Sequence, residues 1–235
     1  MKGYFITATD TDAGKTFITA GLLQQLSNQG HRTLGFKPVA SGCQLTEQGL
    51  QNDDALKLMQ AANVPLDYQS VNPYAFEPAI APHIAAQQAG VTIDMANIAN
   101  IIAQQQHQAD YVLVEGVGGW MVPLNARETV ADLARLLNFP VILVVNMRLG
   151  CINHALLTAQ AIARTGLSLA GWIANNASSD VNAGTEGSMA CLEENIQTLK
   201  VHLQVPLLGC VPHLNDVSHN DESLLSTYID LEMCI

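Results

Sequence analysis

The chain has 235 residues, 49% hydrophobic, 13% charged and only 5% aromatic. That is enough for one α/β unit whose core is mostly Leu, Ile, Val and Ala. The formal net charge of −11 argues against a generic nucleic-acid or anionic-membrane surface, which needs clustered Lys and Arg. No stretch approaches the roughly 20 apolar residues of a membrane span. Five cysteines are widely spaced with no C-x-x-C pair, so free thiols are expected rather than zinc or a disulfide framework. The N-terminus has no signal-peptide core, and the chain is expected to be cytoplasmic.

Tyr4 to Ala8 is a short apolar run and reads as the first strand. It enters Thr9-Asp10-Thr11-Asp12-Ala13-Gly14-Lys15-Thr16, and a helix is expected from Lys15 to about Asn28, with Phe17, Ile18, Leu22, Leu23 and Leu26 on its apolar face. A strand, a tight loop and a helix N-terminus in that order make an anion cradle, lined by backbone N–H groups and the positive end of the helix dipole. Gly14-Lys15-Thr16 fits the end of the phosphate-loop pattern, in which the Lys meets the β- and γ-phosphates and the Thr hydroxyl meets Mg²⁺. Thr9 stands where that pattern has its first Gly, and an ordinary strand-to-helix turn with one exposed Lys is the other reading. Gly30 ends the helix, and Thr33 to Lys37 is a second strand stopped by Pro38, so a parallel crossover is expected. Pro38 to Gly42 reads as a loop. It puts Lys37 at the carboxyl end of a strand, where ligands bind in open parallel sheets; a solvated Lys is the alternative.

Asn52-Asp53-Asp54 precedes a helix to about Ala62, either as its N-cap or with one carboxylate on a metal ion. Val64 to Gly90, rich in Pro and Ala, reads as a long connection with a short helix after Pro82. Asp94 to Gln108 is a helix with Ile98, Ile101 and Ile102 inward. Tyr111 to Val114 is a buried strand running into Glu115-Gly116-Val117-Gly118-Gly119. An apolar strand ending in an acid beside a Gly-Lys-Thr loop suggests a magnesium-associated carboxylate, with a plain Gly-rich turn as the alternative. Thr129 to Leu137 is a helix, and Val141 to Val145 is the clearest buried strand. Arg148 to His154 opens a helix to about Arg164, and the N–H groups of Cys151, Ile152 and Asn153 would suit a carboxylate. His154 reads as a structural residue or an acid–base group. Leu169 to Ala174 is the next strand; Asn175 and Asn176 either read a purine edge or form a turn. Residues 176–188 read as a mobile polar loop, Met189 to Leu203 as a helix, Val205 to Gly209 as a last strand and Glu222 to Tyr228 as a terminal helix.

The phosphate loop, Lys37-Pro38-Val39-Ala40-Ser41-Gly42, Val71-Asn72-Pro73-Tyr74, Val114 to Gly119, Leu149-Gly150-Cys151-Ile152-Asn153-His154-Ala155 and Ala170 to Asn175 occur in the order in which they occur in dethiobiotin synthetases. The chain resembles that family from Tyr4 to about Leu214. The resemblance implies one domain over residues 1–235, a P-loop NTPase-like, three-layer α/β/α fold with a mostly parallel central sheet. It implies an ATP- and Mg²⁺-dependent cyclo-ligase of biotin synthesis that joins CO₂ to 7,8-diaminopelargonic acid through a carbamate and a carbamic-phosphoric anhydride. The enzyme would be a homodimer with its active site at the subunit interface.

Carried over residue by residue, Asp12, Ala13, Gly14, Lys15, Thr16 and Phe17, with Glu115, Gly116, Val117 and Gly118, would bind the nucleotide. Thr16, Asp54 and Glu115 would hold Mg²⁺, and Asn175, Asn176, Pro212, His213 and Leu214 the adenine. Lys37, Lys15, Thr11 and Ser41 would be catalytic, and Thr11, Lys37, Ser41, Gly118 and Arg148 would meet the diamine or its carbamate. Gly150, Cys151, Ile152 and Asn153 of the partner subunit would bind the pelargonate carboxylate. Ala8, Asp12, Arg148 and His219 depart from the family pattern of Gly, Glu, Lys and an acid. A dimeric regulatory or partitioning ATPase of the same superfamily is the other functional expectation, with a small-molecule kinase third. A second Lys in the phosphate loop or an amphipathic membrane helix would favour the ATPase, and the chain shows neither.

Overall fold

Uninterrupted runs of Val, Ile and Leu suit strands buried on both faces, and such strands form the centre of this molecule. The computed structural model describes residues 1–176, 189–213 and 222–230. The first half contains β1 (Lys2–Ala8), α1 (Lys15–Asn28), β2 (Thr33–Phe36), β3 (Val39–Ser41), β4 (Gln44–Thr46), β5 (Gly49–Gln51), α2 (Asp53–Ala61), α3 (Tyr68–Val71), β6 (Tyr74–Phe76), α4 (Pro82–Gln88) and α5 (Met95–Gln105). The second contains β7 (Tyr111–Glu115), α6 (Val130–Leu137), β8 (Val141–Asn146), α7 (Cys151–Arg164), β9 (Leu169–Asn175), α8 (Leu192–Leu203) and β10 (Leu207–Val211).

Six strands make one sheet in the order β10-β9-β8-β1-β7-β2, and every neighbouring pair is parallel. Side chains alternate between its faces. Phe5, Val112, Val114, Leu143, Val145 and Trp172 pack against α5, α6, α7 and α8. Tyr4, Ile6, Leu113, Ile142, Val144 and Ile173 pack against Ile18, Leu22, Leu23 and Leu26 of α1 and Leu58 of α2. The result is three layers, α/β/α, as expected. Helix starts follow their caps: Asn52 accepts from the Ala55 N–H, Asp94 from Ala96, and the Asp132 carboxylate accepts from the Thr129 N–H at 2.9 Å.

Three expectations need correction. Pro38 to Gly42 is not simply a loop, because Val39–Ser41 pairs in parallel with Tyr74–Phe76. The connection from Val64 to Gly90 accordingly carries α3 and β6 besides the helix after Pro82. A three-residue strand whose partner lies more than thirty residues away leaves no local periodicity to read. The last strand begins at Leu207 rather than Val205, since Pro206 has no N–H to give a ladder; its carbonyl accepts from the Trp172 N–H at 3.0 Å. The terminal segment Glu222–Thr227 is a 3-10 helix. Its continuation passes so close to β10 that a Cβ on Gly209 would lie 2.2 Å from the Tyr228 carbonyl oxygen. The polar 177–188 stretch, Leu214 and His219 lie outside the described residues.

Candidate active site

The parallel sheet brings the carboxyl ends of β1, β2, β7, β8 and β9 to one edge. The loop after β1 turns into α1 through Gly14, whose φ of 81° is a left-handed conformation that Gly adopts without strain. Asp12 also has positive φ, at 58°. Asp10 closes the start of the loop, its carboxylate accepting from the Thr11 N–H at 2.9 Å and forming an ion pair with Arg148. The Lys15 ammonium donates to the Asp10 carbonyl at 3.3 Å, and only 7% of Lys15 is exposed. Burial lowers its pKa to about 8, and the nearby charge of Lys37 adds to the effect.

Lys37 leaves the end of β2 and is buried. Its Nζ donates to Glu115 Oε1 at 2.5 Å, lies 3.1 Å from Asp54 Oδ2 and reaches the Gly116 carbonyl at 3.5 Å. Burial alone would push the Lys37 pKa down, but the two carboxylates outweigh it and raise the pKa. Burial works against ionisation of Asp54 as well, yet the Lys37 charge prevails and lowers its pKa. The Thr16 hydroxyl donates to the same Glu115 Oε1 at 2.8 Å. Strand β7 thus delivers one acid, helix α2 another, strand β2 a cation and helix α1 a hydroxyl to a single point. Glu115 Oε2 is buried and has no protein partner, so one lone-pair-bearing oxygen of this cluster is left for a ligand.

These groups line one cavity of about 880 Å³. Thr11, Asp12, Gly14, Thr16, Phe17, Ser41, Val117, Gly118, Asn175, Asn176 and Pro212 line it too, with Lys15, Lys37, Asp54 and Glu115. Thr11 and Gly118 are neighbours: a Cβ on Gly118, whose φ is 61°, would come within 3.7 Å of Thr11 Oγ1. Ser41 Oγ is buried without a partner. Two groups face the cavity that no motif had marked as site residues. One is an apolar wall of Ala40, Ala79, Ile80, Ala81 and Val122, and the other is Asn52. Ala79, Ile80 and Ala81 come from an irregular segment between β6 and α4, where neither the strand nor the helix period applies, while Ala40 belongs to β3 and Val122 to the loop after β7.

Other expected positions brace the cavity or stand apart from it. Ala13 is fully buried in the core, and its carbonyl accepts from Asn175 Nδ2 at 2.8 Å, so Asn175 braces the phosphate loop. Gly116 contributes its carbonyl to Lys37. Asn176 is 2% exposed with its Oδ1 unpartnered, while its N–H donates to the Val211 carbonyl at 3.0 Å. The His213 ring lies 3.4 Å from the Asn176 carbonyl, outside the cavity wall. Arg148, Gly150, Cys151, Ile152 and Asn153 do not line the cavity of their own protomer. Gly150 caps α7 with φ 96°, and the Cys151 thiol is buried in the core, where desolvation raises its pKa. The expected row of three open amides is corrected to two, because the Cys151 N–H donates to the Arg148 carbonyl at 2.9 Å. That turn is a consequence of the left-handed Gly150 and could not be seen from residue types.

A protein-family model described as an AAA domain matches residues 2–221. The ATP-dependent dethiobiotin synthetase of Cellvibrio japonicus is 51% identical over 230 residues, covering 98% of this chain and 96% of that protein. The enzyme of the same name from Pseudomonas aeruginosa strain PAO1 is 49% identical, covering 98% and 97%. That of Yersinia pestis is 45% identical, covering 98% and 94%. Among solved structures, the septum site-determining protein MinD of Pyrococcus horikoshii in complex with Mg-ADP gives a TM-score of 0.55 at 18% identity, covering 95% of this chain and 85% of that one. A chain of the MinC:MinD cell division protein complex of Aquifex aeolicus gives 0.57 at 17%, covering 94% and 86%. The structural likenesses show the fold alone. No helix among the described residues is long and apolar enough to cross a membrane. With 45–51% identity carried over nearly its whole length, this chain belongs to the ATP-dependent dethiobiotin synthetase family.

Proposed function

We propose that this protein is an ATP-dependent cyclo-ligase that converts 7,8-diaminopelargonic acid and CO₂ into dethiobiotin, with ADP and phosphate as the other products. The observation that carries the reading is the meeting of two buried ammonium groups, Lys15 and Lys37, in one cavity that also has an apolar wall. A phosphate cradle alone needs only the first. The second supplies positive charge where an anionic substrate group must sit beside the nucleotide, and the wall suits an aliphatic chain.

The chemistry follows from those groups. One substrate amine adds to CO₂ and loses a proton, giving a carbamate. Lys37, with Thr11 and Ser41 as hydrogen-bond donors, holds that anion. A carbamate oxygen attacks the γ-phosphorus and ADP leaves; Lys15 stabilises the charge on the phosphate oxygens as the bond to ADP breaks. The second amine then attacks the activated carbonyl carbon, inorganic phosphate leaves, and the five-membered urea closes. Holding both amines near one carbon makes the last step intramolecular, so no covalent nucleophile is needed.

The oxygen set of Thr16, Asp54 and Glu115, with one Glu115 oxygen unpartnered, fits Mg²⁺, which is held by one or two carboxylates together with nucleotide phosphates. When bound, Mg²⁺ would offset charge on the β- and γ-phosphates. Arg148 keeps the loop's Asp10 in place. Asn176 Oδ1 would accept from the exocyclic amine of adenine, with Pro212 beside the base. The Ile152 and Asn153 amides would take the pelargonate carboxylate in a homodimer whose active site spans the interface. The enzyme would work in the cytoplasm, where the described cysteines remain free thiols.

The test is incubation with ATP, Mg²⁺, bicarbonate and the diamine, following dethiobiotin by mass spectrometry alongside phosphate. Stoichiometric product and phosphate are expected. Phosphate release without the cyclic urea would overturn the ligase reading and favour a regulatory ATPase.

A further inference from the structure

Lys37 and Asp54 face each other at 3.1 Å, yet one ends a strand and the other starts a helix seventeen residues later. Neither element's own hydrogen bonds fix that spacing. Lys37 follows the last residue of β2, and Pro38 after it cannot donate to a ladder. Asp54 lies in the first turn of α2.

A buried chain of hydrogen bonds joins the two backbones. Asn72, fully buried, donates from Nδ2 to the Lys37 carbonyl at 2.5 Å. Its Oδ1 accepts from the Tyr68 hydroxyl at 2.8 Å. The Tyr68 oxygen in turn accepts from the Asn52 N–H at 2.8 Å. Asn52 is the N-cap of α2, its side chain accepting from the Ala55 N–H. The Lys37 N–H is held from the same segment, donating to the Val71 carbonyl at 3.1 Å. Residues 68–72 therefore grip Lys37 by both its backbone groups and, through one phenol, grip the start of α2.

We infer that Tyr68 and Asn72 are positioning residues, a bridge that sets the distance between the Lys37 ammonium and the Asp54 carboxylate. The inference rests on the proposed ligase reading, in which Lys37 holds the carbamate and Asp54 belongs to the magnesium set. The physical reason is that a Lys side chain has four rotatable bonds and little intrinsic precision. Precision comes from fixing its Cα and packing its stem. The phenol is suited to the task because its hydroxyl both accepts and donates, so it links an N–H to an amide oxygen with no group left over. An alternative in which Tyr68 only packs α3 makes the hydroxyl dispensable.

The experiment compares four proteins, wild type, Tyr68→Phe, Asp67→Ala and Lys37→Gln, by thermal melting without ligand, by calorimetric titration of Mg²⁺ in the presence of ADP, and by turnover. Tyr68→Phe removes only the linking oxygen. It should lower kcat about 10-fold and raise the Mg²⁺ concentration for half-maximal ADP binding several-fold, with KM for ATP within about two-fold of wild type. Asp67→Ala removes the N-cap of α3, which accepts from the Ser70 N–H, without touching the bridge. It should melt earlier with turnover and Mg²⁺ titration as in wild type. If Tyr68→Phe behaves like Asp67→Ala, with kcat and the titration unmoved, the bridge is overturned and Tyr68 is structural only. If Lys37→Gln turns over normally, the site reading itself fails and the bridge with it. Loss of turnover in Lys37→Gln beside a normal Tyr68→Phe overturns the bridge alone.

Discussion

On the proposed reading, in which Lys15 meets the nucleotide phosphates, its buried ammonium would make nucleotide binding a proton-coupled event. In the empty site burial and the Lys37 charge lower its pKa to about 8. Bound phosphates favour the charged form and return the pKa to its ordinary range near 10 or above. The sign follows: above pH 8 the empty site holds neutral Lys15, which must take up a proton to face phosphate, so affinity falls as pH rises. With a pKa of about 8, about nine-tenths of Lys15 is charged at pH 7 and about one-tenth at pH 9. The affinity for Mg²⁺·ADP should therefore fall about 10-fold between pH 7 and pH 9, about 1.4 kcal/mol. Proton uptake per site should rise from about 0.1 to about 0.9 over that range. Isothermal titration in two buffers of different ionisation enthalpy measures both quantities, and the diphosphate itself titrates below the window. Lys37→Gln, which removes the neighbouring charge, should move the profile to higher pH. Equal affinity at pH 7 and 9 with no proton uptake would mean that Lys15 stays charged when empty, refuting the desolvation argument.

Lys37→Gln should cut turnover about 10²- to 10³-fold, the scale on which a preorganised electrostatic contact acts. It also leaves Glu115 and Asp54 without the cation that bridges them, so its melting temperature should drop and be regained with Mg²⁺ and ADP; an unchanged melt would contradict the buried ion cluster. Glu115→Gln should raise the Mg²⁺ requirement of ADP binding about 10- to 100-fold, and an unaltered titration would remove Glu115 from the metal set. Asn176→Ala should reduce the preference for ATP over GTP, since it deletes the buried acceptor assigned to the base amine; equal selectivity in kcat/KM would reassign that oxygen. Gly150→Ala meets open space but needs a φ of 96°, so denaturant unfolding should show a loss of about 1–2 kcal/mol, and no loss would mean that the turn before α7 relaxes freely.

Much of this molecule was open to reading in one dimension. Val141 to Val145 is apolar at every position because a central parallel strand is covered on both sides, and Ile18, Leu22 and Leu26 recur at helical spacing on the side of α1 that meets the sheet. That α2 and the terminal segment also cover α1, burying every residue from Ile18 to Leu23, was not open to such a reading. The phosphate loop was legible for a similar reason: Gly14, Lys15 and Thr16 act from consecutive positions, so their geometry is local. Lys37, Asp54 and Glu115 could be named one by one, each at a strand end or a helix start.

Only the tertiary structure decided that these three meet at 2.5–3.1 Å, that Asn175 turns to brace Ala13, and that Arg148 pairs with Asp10. The same holds for β3 pairing with β6, for the Cys151 N–H turning back to Arg148, and for the bridge through Tyr68 and Asn72. Each joins groups distant in the chain or depends on a left-handed residue. Hydrophobic period and local caps are properties of neighbours and are written into residue order. The separation of two side chains on different elements is set by how every layer between them packs, and a string of residue types does not carry that distance.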